Sequence, residues 1–321
     1  ASQKDISLLT GLPAKEPIRV FVGLNRQEPD KALLEKMVQT ALDEMDRTQA
    51  FTRRYIVIQG ATGRGWIEEY SSQAVEYLTQ GDVATVAIQY SYLPSQFSFL
   101  LNGELATFAN SELINAVKQR LEQMPIDKRP KLLLAGESLG AYASQSLFNN
   151  YDDVINRIDG AVWVGTPRFS PLWQQLVANR NKGSTEALPI IHSGQHVRFM
   201  DNPASLKQLT NDWQSPRIVF LQYATDPIVW WSSKMLWQAP DWMAEPKGRG
   251  VSHLPRWLPV LSFWELSLDM PASNQTPAGF GHIYEDDIVY AWAAVLDNSQ
   301  VDPKQVAERI EQRIAFTKEN K

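Results

Sequence analysis

The sequence predicts an α/β fold, a mainly parallel central sheet with helices on both faces, and three observations carry that reading. Short apolar runs alternate with longer segments of helical periodicity along most of the chain, and such alternation builds parallel sheets because parallel neighbours need a crossover. Residues 131–140 read Lys-Leu-Leu-Leu-Ala-Gly-Glu-Ser-Leu-Gly, an apolar run ending in Gly-x-Ser-x-Gly, the signature of a sharp strand-to-helix turn. At 321 residues and 44% hydrophobic, the chain has enough apolar material for one large core.

Taken in order, residues 18–24 form a candidate strand and 29–49 a helix, an N-terminal extension over 1–50. Residues 55–59 are a second strand, ending in the loop Gly60-Ala61-Thr62-Gly63-Arg64-Gly65. Residues 66–79 read as helix, because Trp66, Tyr70, Ala74 and Tyr77 recur at three- and four-residue spacing. Further strands are expected at 83–89, 132–135, 159–164 and 217–222, with another at 260–266; helices are expected at 112–123, 286–296 and 303–317. The polar stretch 179–186 is a surface loop, not a boundary, so 1–321 is read as one domain with an aromatic-rich insertion at 230–256.

Composition removes several function classes. A net charge of −5 with scattered Lys and Arg provides no basic stripe for nucleic acid. The absence of cysteine excludes disulfides, thiolate metal sites and a Cys nucleophile, and suits an oxidising compartment as well as many cytoplasmic enzymes. The four histidines (His192, His196, His253, His282) show no metal-ligand spacing, and Pro189 and Gly194 argue against a helix that would pair His192 with His196. No metal and no cofactor is expected. No apolar stretch reaches the roughly 20 residues that span a bilayer, and a chain beginning at Ala1 leaves an upstream signal or membrane segment open.

The chemistry-bearing residues follow the strand ends, where functional groups gather in sheets of this type. Gly136 and Gly140 let the chain reverse so that the Ser138 hydroxyl stands clear as a nucleophile. The Leu139 amide, free at a helix start, is one candidate oxyanion donor. The second comes from the glycine-rich loop, from Ala61 or Thr62; the same loop lacks the Gly-Lys-Ser/Thr ending of a phosphate cradle. Asp226, just past the strand at 217–222, is the candidate triad acid, with Asp201, Asp241 and Asp286 as rivals. His282, glycine-flanked in Ala278-Gly279-Phe280-Gly281-His282, is the candidate base, because a Ser-Asp-His order needs its histidine last; His253 is the alternative.

Six tryptophans (Trp230, Trp231, Trp237, Trp242, Trp257, Trp264) fall between Asp226 and His282. Each removes about 150–250 Å² from water when buried, so most must pack, either as a satellite core or as a lid over an apolar acyl pocket. Tyr90, Tyr92, Trp230 and Trp231 are the candidate substrate-binding residues. Phe97, Phe99, Leu100 and Leu101, in the segment after Tyr90, form either an opposite lip suited to lipid or a buried loop.

Several stretches resemble the membrane-associated bacterial α/β-hydrolase family, in which a multi-helix membrane region precedes a Ser-Asp-His hydrolase domain. They are Ile18-Arg19-Val20-Phe21-Val22-Gly23-Leu24, Gln89-Tyr90-Ser91-Tyr92-Leu93-Pro94-Ser95, Gly136-Glu137-Ser138-Leu139-Gly140, Asp226-Pro227-Ile228-Val229-Trp230-Trp231-Ser232, and Gly281-His282 with Tyr284. The resemblance implies an α/β-hydrolase fold, a triad of Ser138, Asp226 and His282, and membrane association through a region absent here, with the catalytic domain extracytoplasmic (periplasmic) and a cytoplasmic location the alternative. Arg64 departs from an otherwise Gly/Thr-type oxyanion loop. Together these readings imply a serine hydrolase of apolar or lipid-like esters, needing no cofactor and no nucleic-acid partner. An acyltransferase using the same triad, or a non-catalytic membrane-associated binding or scaffold protein, is the alternative. Substrate identity and oligomeric state are not legible.

Overall fold

In the computed structural model, which describes residues 1–93, 95–252, 256–297 and 300–319 (with the side chains of 95–102, 318 and 319 outside the description), the apolar runs become seven strands. They are β1 (Ile18–Val22), β2 (Tyr55–Gly60), β3 (Val83–Ile88), β4 (Lys131–Glu137), β5 (Gly160–Val164), β6 (Val197–Met200) and β7 (Arg217–Leu221). They join in the order β1-β3-β2-β4-β5-β7-β6, and every pairing is parallel. All residues of β2, β3 and β5 are buried, as expected of strands covered on both faces.

The two-residue period of each strand divides its side chains between two cores. Ile56, Ile58, Val86, Leu132, Leu134 and Trp163 face helices Lys31–Arg47, Ser95–Glu122 and Leu139–Gln145. Val57, Val83, Leu133, Val162 and Val219 face helices Glu69–Leu78, Glu285–Leu296 and Pro303–Glu319. The extension at 1–50 adds β1 as an edge strand, paired with β3, and the helix Lys31–Arg47 on one face.

Two expectations are corrected. Residues 260–266 are not a strand: helix Leu261–Asp269 occupies that stretch, and the Ser267 hydroxyl closes one of its turns on the Phe263 carbonyl at 2.7 Å. A short apolar run has no periodicity that distinguishes the two states, and here contacts on one face decided for the helix. The helix expected at 112–123 is the end of a longer one, Ser95–Glu122. The edge strand β6 was not anticipated. Among the described residues, no helix is long and apolar enough to cross a membrane.

Candidate active site

Ser138 sits between β4 and helix Leu139–Gln145 with φ 52° and ψ −119°, a conformation that costs a non-glycine residue about 1–3 kcal/mol. Neighbouring structure holds it there: its N–H donates to the Val164 carbonyl at 2.9 Å and its carbonyl accepts from the Tyr142 N–H at 3.0 Å. The glycines of the motif are required by close approach. A Cβ on Gly136 would lie 2.5 Å from the Gly140 carbonyl, and one on Gly140 would lie 2.1 Å from the Gly60 carbonyl. The end of β2 and helix Leu139–Gln145 therefore pass backbone to backbone. That crossing brings the Gly60–Gly65 loop to the Leu139 amide.

Asp226 follows β7 and is fully buried. Its Oδ1 accepts the Ile228 N–H at 2.9 Å and so caps the short helix Pro227–Trp230. Its Oδ2 accepts from His282 Nδ1 at 2.6 Å and from the Tyr284 hydroxyl at 2.7 Å. An ionised carboxylate only accepts, so Nδ1 carries the hydrogen and Nε2 is the nitrogen available to take a proton. The His282 loop is fixed through its backbone. His282 N–H donates to the Ser273 carbonyl at 2.9 Å, Gly281 N–H to Thr225 Oγ1 at 3.0 Å, and the Arg249 guanidinium to the Gly279 carbonyl at 2.9 Å. Gly165 leaves the space the imidazole fills, since a Cβ there would lie 2.6 Å from His282 Cε1.

Ser138, Leu139 and His282 face one cavity of about 450 Å³, within the range of small-molecule sites. Trp66, Phe169, Ile228, Trp231 and Met270 form its apolar walls, while Glu68 and Glu137 make one part of the wall acidic. Glu137 Oε1 lies 3.5 Å from His282 Nε2. Burial alone would push the His282 imidazolium down, but the Asp226 charge and hydrogen bond, with the Glu137 and Glu68 carboxylates, raise it to about 9. Burial, reinforced by the Glu68 charge and a hydrogen bond to it, pushes the Glu137 carboxyl well above the carboxylate range, against the pull of His282.

The sequence marks Tyr284 only as part of a matching stretch and gives it no role. Burial and the Asp226 charge raise its phenol well above the usual value, so it remains a donor to Oδ2. Tyr284→Phe is therefore expected to lower the unfolding free energy by about 1.5–3 kcal/mol, the worth of a hydrogen bond to a charged group. Urea denaturation measures it, and an unchanged midpoint would show that the bond carries no weight.

Residues 18–309 match the alpha/beta-hydrolase family. The chain belongs to that family. No curated protein matches it. Family membership, with the seven-stranded parallel sheet, establishes the α/β-hydrolase fold and points to hydrolase activity.

Within this α/β-hydrolase the anticipated site residues divide. The structure brings Ser138 and His282 to one cavity, and Asp226 to His282 from behind. Among the acid rivals, Asp201 lies beside Arg249 and Asp241 pairs with Arg180 at 2.8 Å. Asp286 lies in the first turn of helix Glu285–Leu296, facing Glu311 and Glu308. His192 stacks on Tyr151, and His253 lies outside the described residues. Of the oxyanion candidates, Leu139 and Thr62 line the cavity and Ala61 is buried. The Thr62 N–H is already engaged by the Trp66 carbonyl at 3.0 Å.

Of the substrate-binding candidates, Trp231 alone lines the cavity. Tyr90 is wholly buried in the main core, Tyr92 is 42% exposed away from the cavity, and Trp230 is buried against Trp173 and Trp242 with its indole N–H on the Tyr223 carbonyl at 2.9 Å. Of the six tryptophans, Trp237 and Trp264 are more than half exposed, Trp230 and Trp242 are buried, and Trp231 and Trp257 are half-buried. The side chains of Phe97, Phe99, Leu100 and Leu101 lie outside the described residues. Sequence reasoning missed Glu68, Trp66, Phe169 and Met270 as wall residues. It quoted Glu137 inside the serine motif without giving it a part.

Proposed function

We infer that the chain is a serine hydrolase of carboxylic esters with apolar, lipid-like acyl groups, acting through an acyl-enzyme on Ser138. The observation that carries this reading is a serine on a strained turn facing the same cavity as a histidine locked by Nδ1 to a buried aspartate.

Ser138 Oγ attacks the acyl carbon while its proton passes to His282 Nε2, and Asp226 stabilises the imidazolium. The oxyanion is held by backbone N–H groups at the start of the nucleophile helix and on the glycine-rich loop. Since Thr62 N–H is engaged, we assign the donors to Leu139 and Ala61. Collapse breaks the ester C–O bond, the Nε2 proton goes to the leaving alcohol, and water then releases the acid by the same route reversed.

The test is labelling by a fluorophosphonate, followed by mapping of the adduct. Modification of Ser138 alone is expected. A protein that stays unlabelled while folded would end the covalent mechanism. On p-nitrophenyl esters, kcat/KM should rise with each of the first few added methylenes by up to about fourfold, from about 0.8 kcal/mol per buried CH₂. A series that falls from acetate upward would remove the apolar acyl class.

A further inference from the structure

His282 faces carboxyl groups on both edges of its ring. On the Nδ1 edge stands Asp226, with Tyr284 behind it, as the triad requires. On the Nε2 edge, the side that must receive the serine proton, Glu137 Oε1 lies 3.5 Å away. Glu137 comes from the end of β4, one residue before the nucleophile, and its side chain is 17% exposed. Glu68 adjoins it from the start of helix Glu69–Leu78, where its Oε1 accepts the Tyr70 N–H at 3.1 Å. Both carboxyl groups line the cavity.

Burial and the adjoining Glu68 carboxyl oppose ionisation of Glu137, and the His282 imidazolium across the 3.5 Å gap favours it. Among the described residues, the ionisable groups facing the imidazole are therefore Asp226 after β7, Tyr284 on its own loop, Glu137 on β4 and Glu68 before the helix. Tyr284 stays neutral. The remaining groups are all carboxyls, and they flank the ring on both sides.

We propose that Glu137, backed by Glu68, is a positioning residue that holds the Nε2–H of the resting His282 imidazolium and so sets the pH at which this nitrogen becomes free to accept the Ser138 proton. The role rests on the serine-hydrolase reading of the site. In the resting state, protons sit on Nδ1 (hydrogen-bonded to Asp226) and on Nε2 (facing Glu137). As pH rises, the Nε2 proton leaves to solvent. The neutral ring then accepts from Ser138 Oγ while Asp226 still fixes its orientation. A carboxylate at Nε2 therefore delays the appearance of the competent base and shelters the imidazolium once it forms.

The sign is fixed by which form Glu137 favours. A negative neighbour stabilises the imidazolium, so removing it lets the proton leave at lower pH. The second-order rate of fluorophosphonate labelling should rise with pH along a limb governed by His282, well above the ordinary histidine range in the wild-type protein. Glu137→Gln, nearly isosteric, is expected to move that limb down by about one pH unit or more, so that labelling below the wild-type limb becomes about tenfold faster. Glu137→Asp, which keeps the charge but withdraws it by one methylene, should move the limb part of the way.

A variant that lowers the plateau and leaves the limb in place would show that Glu137 is merely structural, and the proposal would fall. NMR titration of the His282 imidazole in the unsubstituted protein gives a second reading that needs no variant. Titration at the ordinary value near 6.5 would overturn the proposal even if neither variant folds. Failure of the hydrolase reading looks different, since then the wild-type protein is not labelled at any pH.

Discussion

Replacing His282 by alanine is expected to lower kcat for p-nitrophenyl esters by about 10⁵–10⁶-fold while the protein stays folded. The imidazole is the only described side chain held on Asp226 Oδ2 that also faces the Ser138 cavity. Without it, no other described histidine lines the cavity to take the serine proton or return it to the leaving alcohol. The residue of activity, about 10³–10⁴ over water, would come from the oxyanion amides and binding. Asp226→Asn should fall less far, by about 10⁴, because the amide keeps the shape but can impose the wrong tautomer on the ring. Thermal melts alongside the kinetics separate loss of chemistry from loss of fold. Full activity in His282→Ala would pass the base to another histidine, and His253 would be next.

That the proposed triad residues stand out in the sequence reflects where they sit. Ser138, Asp226 and His282 each stand at the end of an apolar run or a glycine-rich turn, and their order along the chain is the one the α/β-hydrolase topology gives to such groups. Local pattern sufficed because each residue's position depends mainly on its own strand or loop. The cavity walls lack such a rule. Trp230 and Trp231 are adjacent and chemically the same, yet one is buried against Trp173 and the other faces the cavity. A short turn after Asp226 decides which, and composition carries no information about it.

The same holds for Tyr90, whose aromatic character fits a core as well as a pocket. The Glu68–Glu137–His282 cluster joins residues far apart in sequence, so their mutual perturbation exists only after the sheet has formed. The strand β6 was missed for a different reason. Its four residues include Arg198, a poor signal for a buried strand. Its guanidinium nevertheless fits there by donating to the carbonyls of Gly194, Leu206 and Asn211 while lying over the Trp213 ring.

Gly140→Ala is expected to be among the most disruptive single-methyl changes at the described glycines. The added Cβ would stand 2.1 Å from the Gly60 carbonyl oxygen and 3.3 Å from that of Ala61. Both obstacles are backbone, so no rotamer change relieves the overlap; the helix Leu139–Gln145 must move off the end of β2. Overpacking typically costs 1–3 kcal/mol, and this overlap of main chains should cost about 3 kcal/mol or more in urea denaturation. Function should suffer beyond stability. The displaced segment carries Ser138 and the Leu139 amide on one side and the Ala61 amide on the other, and a misplacement of about 1 Å can cost about 10²-fold in rate. Gly103→Ala is the control, because a Cβ there meets nothing within 4 Å and the residue lies inside helix Ser95–Glu122. It should stabilise by about 0.5–1 kcal/mol with kcat unchanged. If Gly140→Ala is as stable and active as that control, the close crossing of β2 and the nucleophile helix cannot be what sets the geometry of the oxyanion site.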